Sequence, residues 1–348
     1  MFMTKALRVK IISKNGIRGF QLTDLPQQFG DIEFVTDRHA TQYDWLVVYD
    51  DLPPAGEERL SLGVEDLACP RENTALLTYE PSSLKFYGSD YVQQFGMVLT
   101  SHEASTLAHP NRFDVPPIGV WYYGGLDQMH AHPTPPEKTK SLSIFGSAKQ
   151  ENHTLHKRRF DFIQELTEGL GDALDVFGKG YHFVEHKAEA LDDYRYHIAV
   201  ENHISPHHWT EKLSDCFLGY SLPFYAGCTN ASDYFPEDSF ISLDIRDADA
   251  ALQTIRSAIA DNEYEARLPA IIEARRRVIE DYNLGNMIAK HITAAPQGAS
   301  VTPGAQILSR HAMMRKGLGV FLRYALGKGR ARRKNRAYWK RYLASTSG

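Results

Sequence analysis

The sequence is poor in the features that mark several classes of protein. It has only three cysteines in 348 residues, Cys69, Cys216 and Cys228, odd in number and widely spaced. Such a set excludes a disulfide framework and suits a reducing compartment. No apolar run approaches the roughly 20 residues that a membrane-spanning helix needs. The first residues hold no apolar core of about 7–15 residues, so no signal peptide is expected. A Gly-x-Gly-x-x-Gly loop and a Walker loop are both missing, which argues against dehydrogenase and NTPase readings. The 15 histidines cluster only at His130/His132 and His207/His208. Neither cluster has carboxylates or thiolates at ligand spacing, so no metal is expected. The sharpest absence concerns acid: after Asp281 there is not one Asp or Glu, while 13 Lys and Arg follow.

That asymmetry divides a formal charge of −4 into two unlike parts. The first 281 residues carry 26 basic against 43 acidic side chains, a net of −17, and the remainder is wholly basic. Body and tail therefore read as separate physical objects. At 348 residues, 43% hydrophobic and 24% charged, the chain has room for two domains with cores of their own.

The apolar runs at 7–12, 32–36, 45–49, 75–79 and 97–100 are rich in Val, Ile and Leu and bounded by turn residues. They predict buried strands of a parallel sheet. The stretch 130–140, with three prolines among charged residues, predicts a linker. Beyond it a second α/β pattern follows: strands at 142–145, 174–177, 196–200, 223–226 and 240–243, and helices at 153–168, 206–220, 248–259 and 264–282. Pro206 after Ser205 suits a first helical position. The expected organisation is 1–140 and 141–283 as two α/β domains, and 284–348 as a basic tail with helical patterning. Ligands of open α/β sheets bind at the carboxyl ends of strands, so a cleft between two such domains is the default site.

The residues at 194–244 carry the most chemistry. A strand runs out into Glu201-Asn202, and Thr210, Glu211 and Lys212 follow a polar loop. A carboxylate accepts ribose hydroxyls, and an ammonium or guanidinium neutralises a diphosphate. A helix N-terminus adds backbone N–H groups for phosphate. Taken alone, Glu211-Lys212 reads first as a solvated helical turn, with Glu placed to favour the dipole.

Taken together, five segments in order resemble the donor domain of the family 10 glycosyltransferases, the α-1,3/1,4-fucosyltransferases. They are Val200-Glu201-Asn202, Trp209-Thr210-Glu211-Lys212-Leu213, residues 223–227, residues 233–240, and Asp244. Upstream, Ser147, Arg159 and Asp175-Val176-Phe177-Gly178 fit the same pattern. The resemblance implies a GT-B fold, two Rossmann-like α/β domains facing a cleft, with 1–140 binding the acceptor and 141–283 the donor. It also implies an inverting, metal-independent transfer of L-fucose from GDP-fucose, with no cofactor beyond that donor substrate, to a glycan acceptor. It places Arg159 (Arg158 is the register alternative) and Lys212 on the diphosphate and Glu211 on the ribose. Glu201, Asn202, His208 and Thr210 complete the donor set. His208 stands where the family has Tyr. In the first domain, Thr78-Tyr79-Glu80-Pro81 and the stretch 89–96 match the family more loosely. This alignment makes Glu80 the base that takes the acceptor proton.

Alternatives stay open at this level: the same fold with another nucleotide deoxysugar, or a non-catalytic nucleotide-sugar or glycan-binding protein. In the tail, Met314, Leu318, Phe321, Leu322 and Ala325 share a helical face, followed by GKGRARRKNRAYWKRYL. That pattern suits an anionic membrane surface, and a solubilising tail is the plain alternative. Nucleic acid is disfavoured as a partner by the acidic body and the missing binding-fold signature. The expected location is the cytoplasm, with peripheral attachment at the inner face of the membrane.

Overall fold

The computed structural model describes residues 6–14, 32–54, 56, 60–117, 121–146, 155–178 and 180–345. The chain divides into two compact units, Met1–Ile118 with Tyr282–Asn335, and Gly119–Asp281 with Arg336–Gly348. Each is an α/β unit built on a parallel sheet, as the sequence patterning predicts.

The first unit contains β1 (Leu7–Ser13), β2 (Ile32–Val35), β3 (Trp45–Tyr49), β4 (Val64–Asp66), β5 (Thr74–Leu77), β6 (Met97–Thr100) and β7 (Arg112–Asp114). Six of these form a sheet in the order β2-β1-β3-β5-β6-β7, each neighbouring pair parallel. Residues alternate between the two faces of such a sheet. Val9, Ile11, Trp45, Val47, Ala75 and Leu77 share one core cluster. Ile12, Leu46, Val48, Leu76 and Val98 belong to the other.

Those two faces explain why the expected boundaries do not hold. Few helices lie between the strands of this unit, and its cover comes from the far end of the chain. The helix Leu284–Ala294 lays Leu284, Met287, Ile288 and Ile292 on the first face. Ile307 and Met313 join the second, and the strand Gln306–Leu308 pairs antiparallel with β4. Residues 284–335 are thus a structural part of the first unit rather than a tail beside it.

The expected linker is also absorbed, into the second unit. Lys138 is buried and donates from Nζ to the Leu191 carbonyl at 2.8 Å. Tyr220 donates from its hydroxyl to the Pro133 carbonyl at 3.0 Å, and the Arg275 guanidinium to the carbonyls of Met129 and His132. Prolines leave carbonyls free of any ladder, and these donors satisfy the neighbouring ones.

The second unit holds β8 (Lys140–Phe145), β9 (Leu174–Phe177), β10 (Tyr194–Val200), β11 (Leu222–Ala226) and β12 (Ile241–Ser242). They form a parallel sheet in the order β12-β11-β10-β8-β9. Helices His156–Leu170, Glu211–Leu218, Ala248–Ala260 and Glu263–Glu280 pack with it. The helix expected from Pro206 begins instead at Glu211. His207 sits at φ 61°, a left-handed conformation that interrupts helical geometry, and the cap is Thr210.

The placement of residues 284–294 in a core is testable. Ile288→Ala should cost about 2–5 kcal/mol of stability in urea unfolding, as for a buried aliphatic side chain. A change of less than about 0.5 kcal/mol, typical of surface positions, would return the segment to the status of an appendage.

Candidate functional site

The candidate donor residues of the second unit gather at the carboxyl ends of its parallel strands. β10 ends at Val200, and Glu201 follows it into the turn, 1% exposed. A carboxylate so deeply buried needs partners. Thr210 supplies them: its backbone N–H donates to Glu201 Oε1 at 2.8 Å, and its hydroxyl lies 2.9 and 2.8 Å from the two carboxylate oxygens. The same Thr210 hydroxyl accepts from the Lys212 N–H at 3.3 Å and so caps the helix Glu211–Leu218.

Lys212 closes the knot. Its ammonium lies 2.7 Å from Glu211 Oε1, 3.6 Å from Glu201 Oε2 and 3.3 Å from Thr210 Oγ1. Burial acts to lower the Lys212 pKa, and the two carboxylates outweigh it, so the ammonium is held charged. For Glu211, burial acts upward, and Lys212 with Lys187 brings it below the ordinary carboxylate range. Glu201 goes the other way: burial, joined by the charge of Glu211, raises it against Lys212 and Thr210.

Arg159 reaches the same strand ends from the first turn of His156–Leu170. Its Nε donates to the Val200 carbonyl at 2.9 Å, and Nη2 lies 3.5 Å from the Phe145 carbonyl at the end of β8. Burial lowers its pKa, with Glu201 and Glu211 opposing. Arg158 runs along its own helix instead, paired with Glu165 at 2.8 Å. Asn202, next to Glu201, carries a buried Oδ1 with no partner among the described residues. His208 is buried, its ring edge-on to His203 at 5.1 Å between centroids. Ser147 lies outside the described residues.

Sequence reasoning missed two contributors and gave a third no role of its own. Lys187 and Asp215 form a buried pair at 3.2 Å behind Glu211. Burial pushes the Asp215 carboxyl up to about 6, with Lys187 opposing. Asp215 stands four positions after Glu211 on the same helical face, a spacing that could have been noticed. Lys187 has no such signal. The third is Gly227, after β11: an added Cβ would collide with the Tyr225 hydroxyl and Glu201 Cγ, so glycine makes room for the buried carboxylate.

The end of the basic segment belongs here too. Trp339, 7% exposed, packs edge-on against His203 at 5.6 Å, and the Tyr338 hydroxyl donates to the Ile204 carbonyl at 3.3 Å. Arg246, chelated by Asp244, donates to the Tyr342 and Ser345 carbonyls and lies over the Tyr342 ring at 4.7 Å. A cation thus meets the carbonyls that end a helix. A cavity of about 620 Å³ opens at the ends of β11 and β12, walled by Ile204, Tyr225, Gly227, Asp244 and Tyr342 among others.

Glu80 belongs to the first unit, in the bend three residues after β5. It is half-buried, and its carbonyl is bonded to His102 Nε2 at 2.7 Å. Among the described residues no group of three or more His, Cys, Asp and Glu is placed to hold a metal ion.

Residues 135–265 match the family model described as "Glycosyltransferase family 10 (fucosyltransferase) C-term". The match spans every candidate donor residue and leaves Glu80 outside. A comparison with curated proteins finds no match. Among solved structures, an α-glucosyltransferase in complex with UDP-glucose and DNA containing an abasic site aligns with TM-score 0.50 at 9% identity, over 83% of this chain and all of that one. An α1,3-fucosyltransferase with GDP aligns with TM-score 0.49 at 14% identity, over 84% of this chain and 91% of that one. The same activity's structure with GDP-fucose gives 0.46 at 14% identity, over 100% of this chain and 94% of that one.

Thr210→Val should destabilise the protein by about 2–3 kcal/mol in denaturant unfolding, since it removes both a helix cap and hydrogen bonds to a buried carboxylate. Those bonds favour the charged form of Glu201. The penalty should therefore be full at neutral pH and shrink in acid, where Glu201 is protonated. Thr210→Ser should behave like the parent, and equal losses in both variants would dismiss the hydroxyl as the organising group.

Proposed function

We propose that this chain, whose second unit carries a family 10 glycosyltransferase domain, is an inverting fucosyltransferase that moves L-fucose from GDP-fucose to a glycan hydroxyl. The observation that carries the reading is the gathering of these groups at the end of β10, inside the matched segment: Thr210 and Lys212 hold Glu201, Lys212 pairs with Glu211, and Arg159 bonds the Val200 carbonyl.

A guanidinium and an ammonium held charged in a buried site suit a leaving diphosphate. They are worth most there because they are already oriented when charge develops. Lys212 exchanges part of its contact with Glu211 for phosphate oxygen, and the freed Glu211 carboxylate accepts the ribose hydroxyls. Glu201 holds Thr210 and Lys212 in place, and the unpartnered Asn202 Oδ1 accepts from the donor. Glu80 takes the acceptor's hydroxyl proton as that oxygen attacks the anomeric carbon. The bond to the diphosphate oxygen breaks as the new one forms, so the configuration inverts and GDP leaves with the electron pair. No metal is needed for the neutralisation that Arg159 and Lys212 supply.

The helix Leu318–Ala344 carries nine Lys and Arg and no acid. Leu318, Phe321, Leu322 and Leu326 on it are 48–74% exposed. Among the described residues no helix is long and apolar enough to cross a membrane. This helix instead suits peripheral attachment to an anionic bilayer, apolar residues in the interface and cations at the headgroups.

Calorimetry with GDP-fucose, GDP-mannose and UDP-glucose should show binding of GDP-fucose, weakened about 10- to 100-fold by Lys212→Ala through the loss of a charge-assisted contact. Binding of none of the three would sink the transferase reading. Glu80→Gln should lower the transfer rate by about 10²–10⁴ while GDP-fucose still binds. Transfer at the parent rate would remove Glu80 from the role of base.

A further inference from the structure

We infer that a pocket in the first unit receives the phosphate of a lipid-linked glycan acceptor, an inference that names the acceptor class for the glycosyl transfer proposed above and rests on that reading. The pocket, about 560 Å³, lies between the loop at Phe86–Ser89, the segment 102–108 and the helix Leu318–Ala344.

Its lining is one-sided in charge. The helix contributes Arg323, Arg330 and Lys334, and among the described residues no carboxylate lines the space. Arg323 is committed to Asp90 at 2.7 Å. Arg330 and Lys334 form no ion pair with any described residue, and both are exposed. Two cations beside each other on one wall, without an acid between them, fit an oxyanion with several acceptor oxygens, which Arg meets bidentately.

The pocket is also joined to the candidate chemistry. Tyr87 and His102 form its inner wall, their rings 5.4 Å apart. Tyr87 is fixed by its hydroxyl on Asp50 Oδ1 at 2.5 Å, and His102 Nε2 bonds the Glu80 carbonyl at 2.7 Å. A single hydrogen bond therefore separates the pocket wall from the backbone of the candidate base. An acceptor anchored here by its reducing-end phosphate presents its sugar within the same unit that carries Glu80.

The third observation concerns the pocket's mouth. Leu326 lines the pocket and is 61% exposed. Leu322 and Leu318 precede it at four-residue spacing on the same helical face, 48% and 74% exposed, with Phe321 at 51%. The apolar run leads from the pocket to the surface. A soluble sugar phosphate has no use for these leucines, and a neutral glycolipid has none for Arg330 and Lys334. An amphiphile with phosphate at the junction of glycan and lipid uses both.

The test measures binding of dodecyl phosphate, dodecyl β-maltoside and inorganic phosphate to the full chain, below the micelle concentration, by calorimetry. Dodecyl phosphate should bind at least about tenfold more tightly than either of the others, since it alone uses cations and apolar run together. The double variant Arg330→Ala/Lys334→Ala should lose that advantage. Arg332→Ala/Arg333→Ala removes the same charge from the same helix outside the pocket and should keep most of it. Equal losses in the two variants would overturn the proposal, leaving only diffuse charge on the helix. Maltoside or inorganic phosphate binding as tightly as dodecyl phosphate would overturn it too. GDP-fucose titrated into the same samples checks folding and separates the two readings. If it binds while dodecyl phosphate does not, the pocket assignment alone fails. If it does not bind while dodecyl phosphate does, transfer fails and the anionic-amphiphile site stands.

Discussion

A carboxylate 1% exposed at the end of a strand is the constraint around which the second unit is arranged. Glu201 cannot stay charged there without donors, and it obtains them from Thr210 and Lys212 across an eight-residue loop. The choice of Thr210 follows, because one hydroxyl serves the carboxylate and the helix N-terminus together. The helix start, the direction of Lys212 and the orientation of Glu211 are all consequences. Even the glycine after β11 is dictated by it, since any larger residue would occupy the space of Glu201.

The charges around this knot are balanced before any ligand arrives. Arg159, Lys187 and Lys212 face Glu201, Glu211 and Asp215, and burial makes each group dependent on its neighbours. Removing one member strands another in a dry site, which is costlier than the pair is worth. In the function proposed above, a diphosphate enters this site by exchange, taking over cations that carboxylates held. The site is thus preorganised in position while its electrostatics remain open to an anionic ligand.

The basic end of the chain plays a larger part than its composition suggests. Its early portion covers both faces of the first sheet, and its last turns hold the loop that follows β10 through Tyr338, Trp339 and the Arg246 contacts. Charge run and apolar stripe are both real features of the helix, but its inward face of Val320, Tyr324, Ala331 and Trp339 is structural.

The longer strands were legible, because runs such as Trp45–Tyr49 and Thr74–Leu77 are apolar on both faces and bounded by turns, whereas the short strands Val64–Asp66, Arg112–Asp114 and Gln306–Leu308 carry no such apolar run. The grouping of Glu201, Thr210, Glu211 and Lys212 was legible too, since they are close in sequence and their contacts are local. What sequence alone could not reveal depends on residues far apart in the chain. The cover of the first sheet comes from residues between Leu284 and Met313, far along the chain from its strands, and the Pro-rich stretch near Pro133 is tied down by Tyr220 and Arg275. Lys187 meets Asp215 only when β10 and the helix Glu211–Leu218 are in place. Composition divided the chain at its change of charge. Folding divided it by which apolar surfaces must be covered, and an uncovered sheet face costs far more than a run of solvated cations.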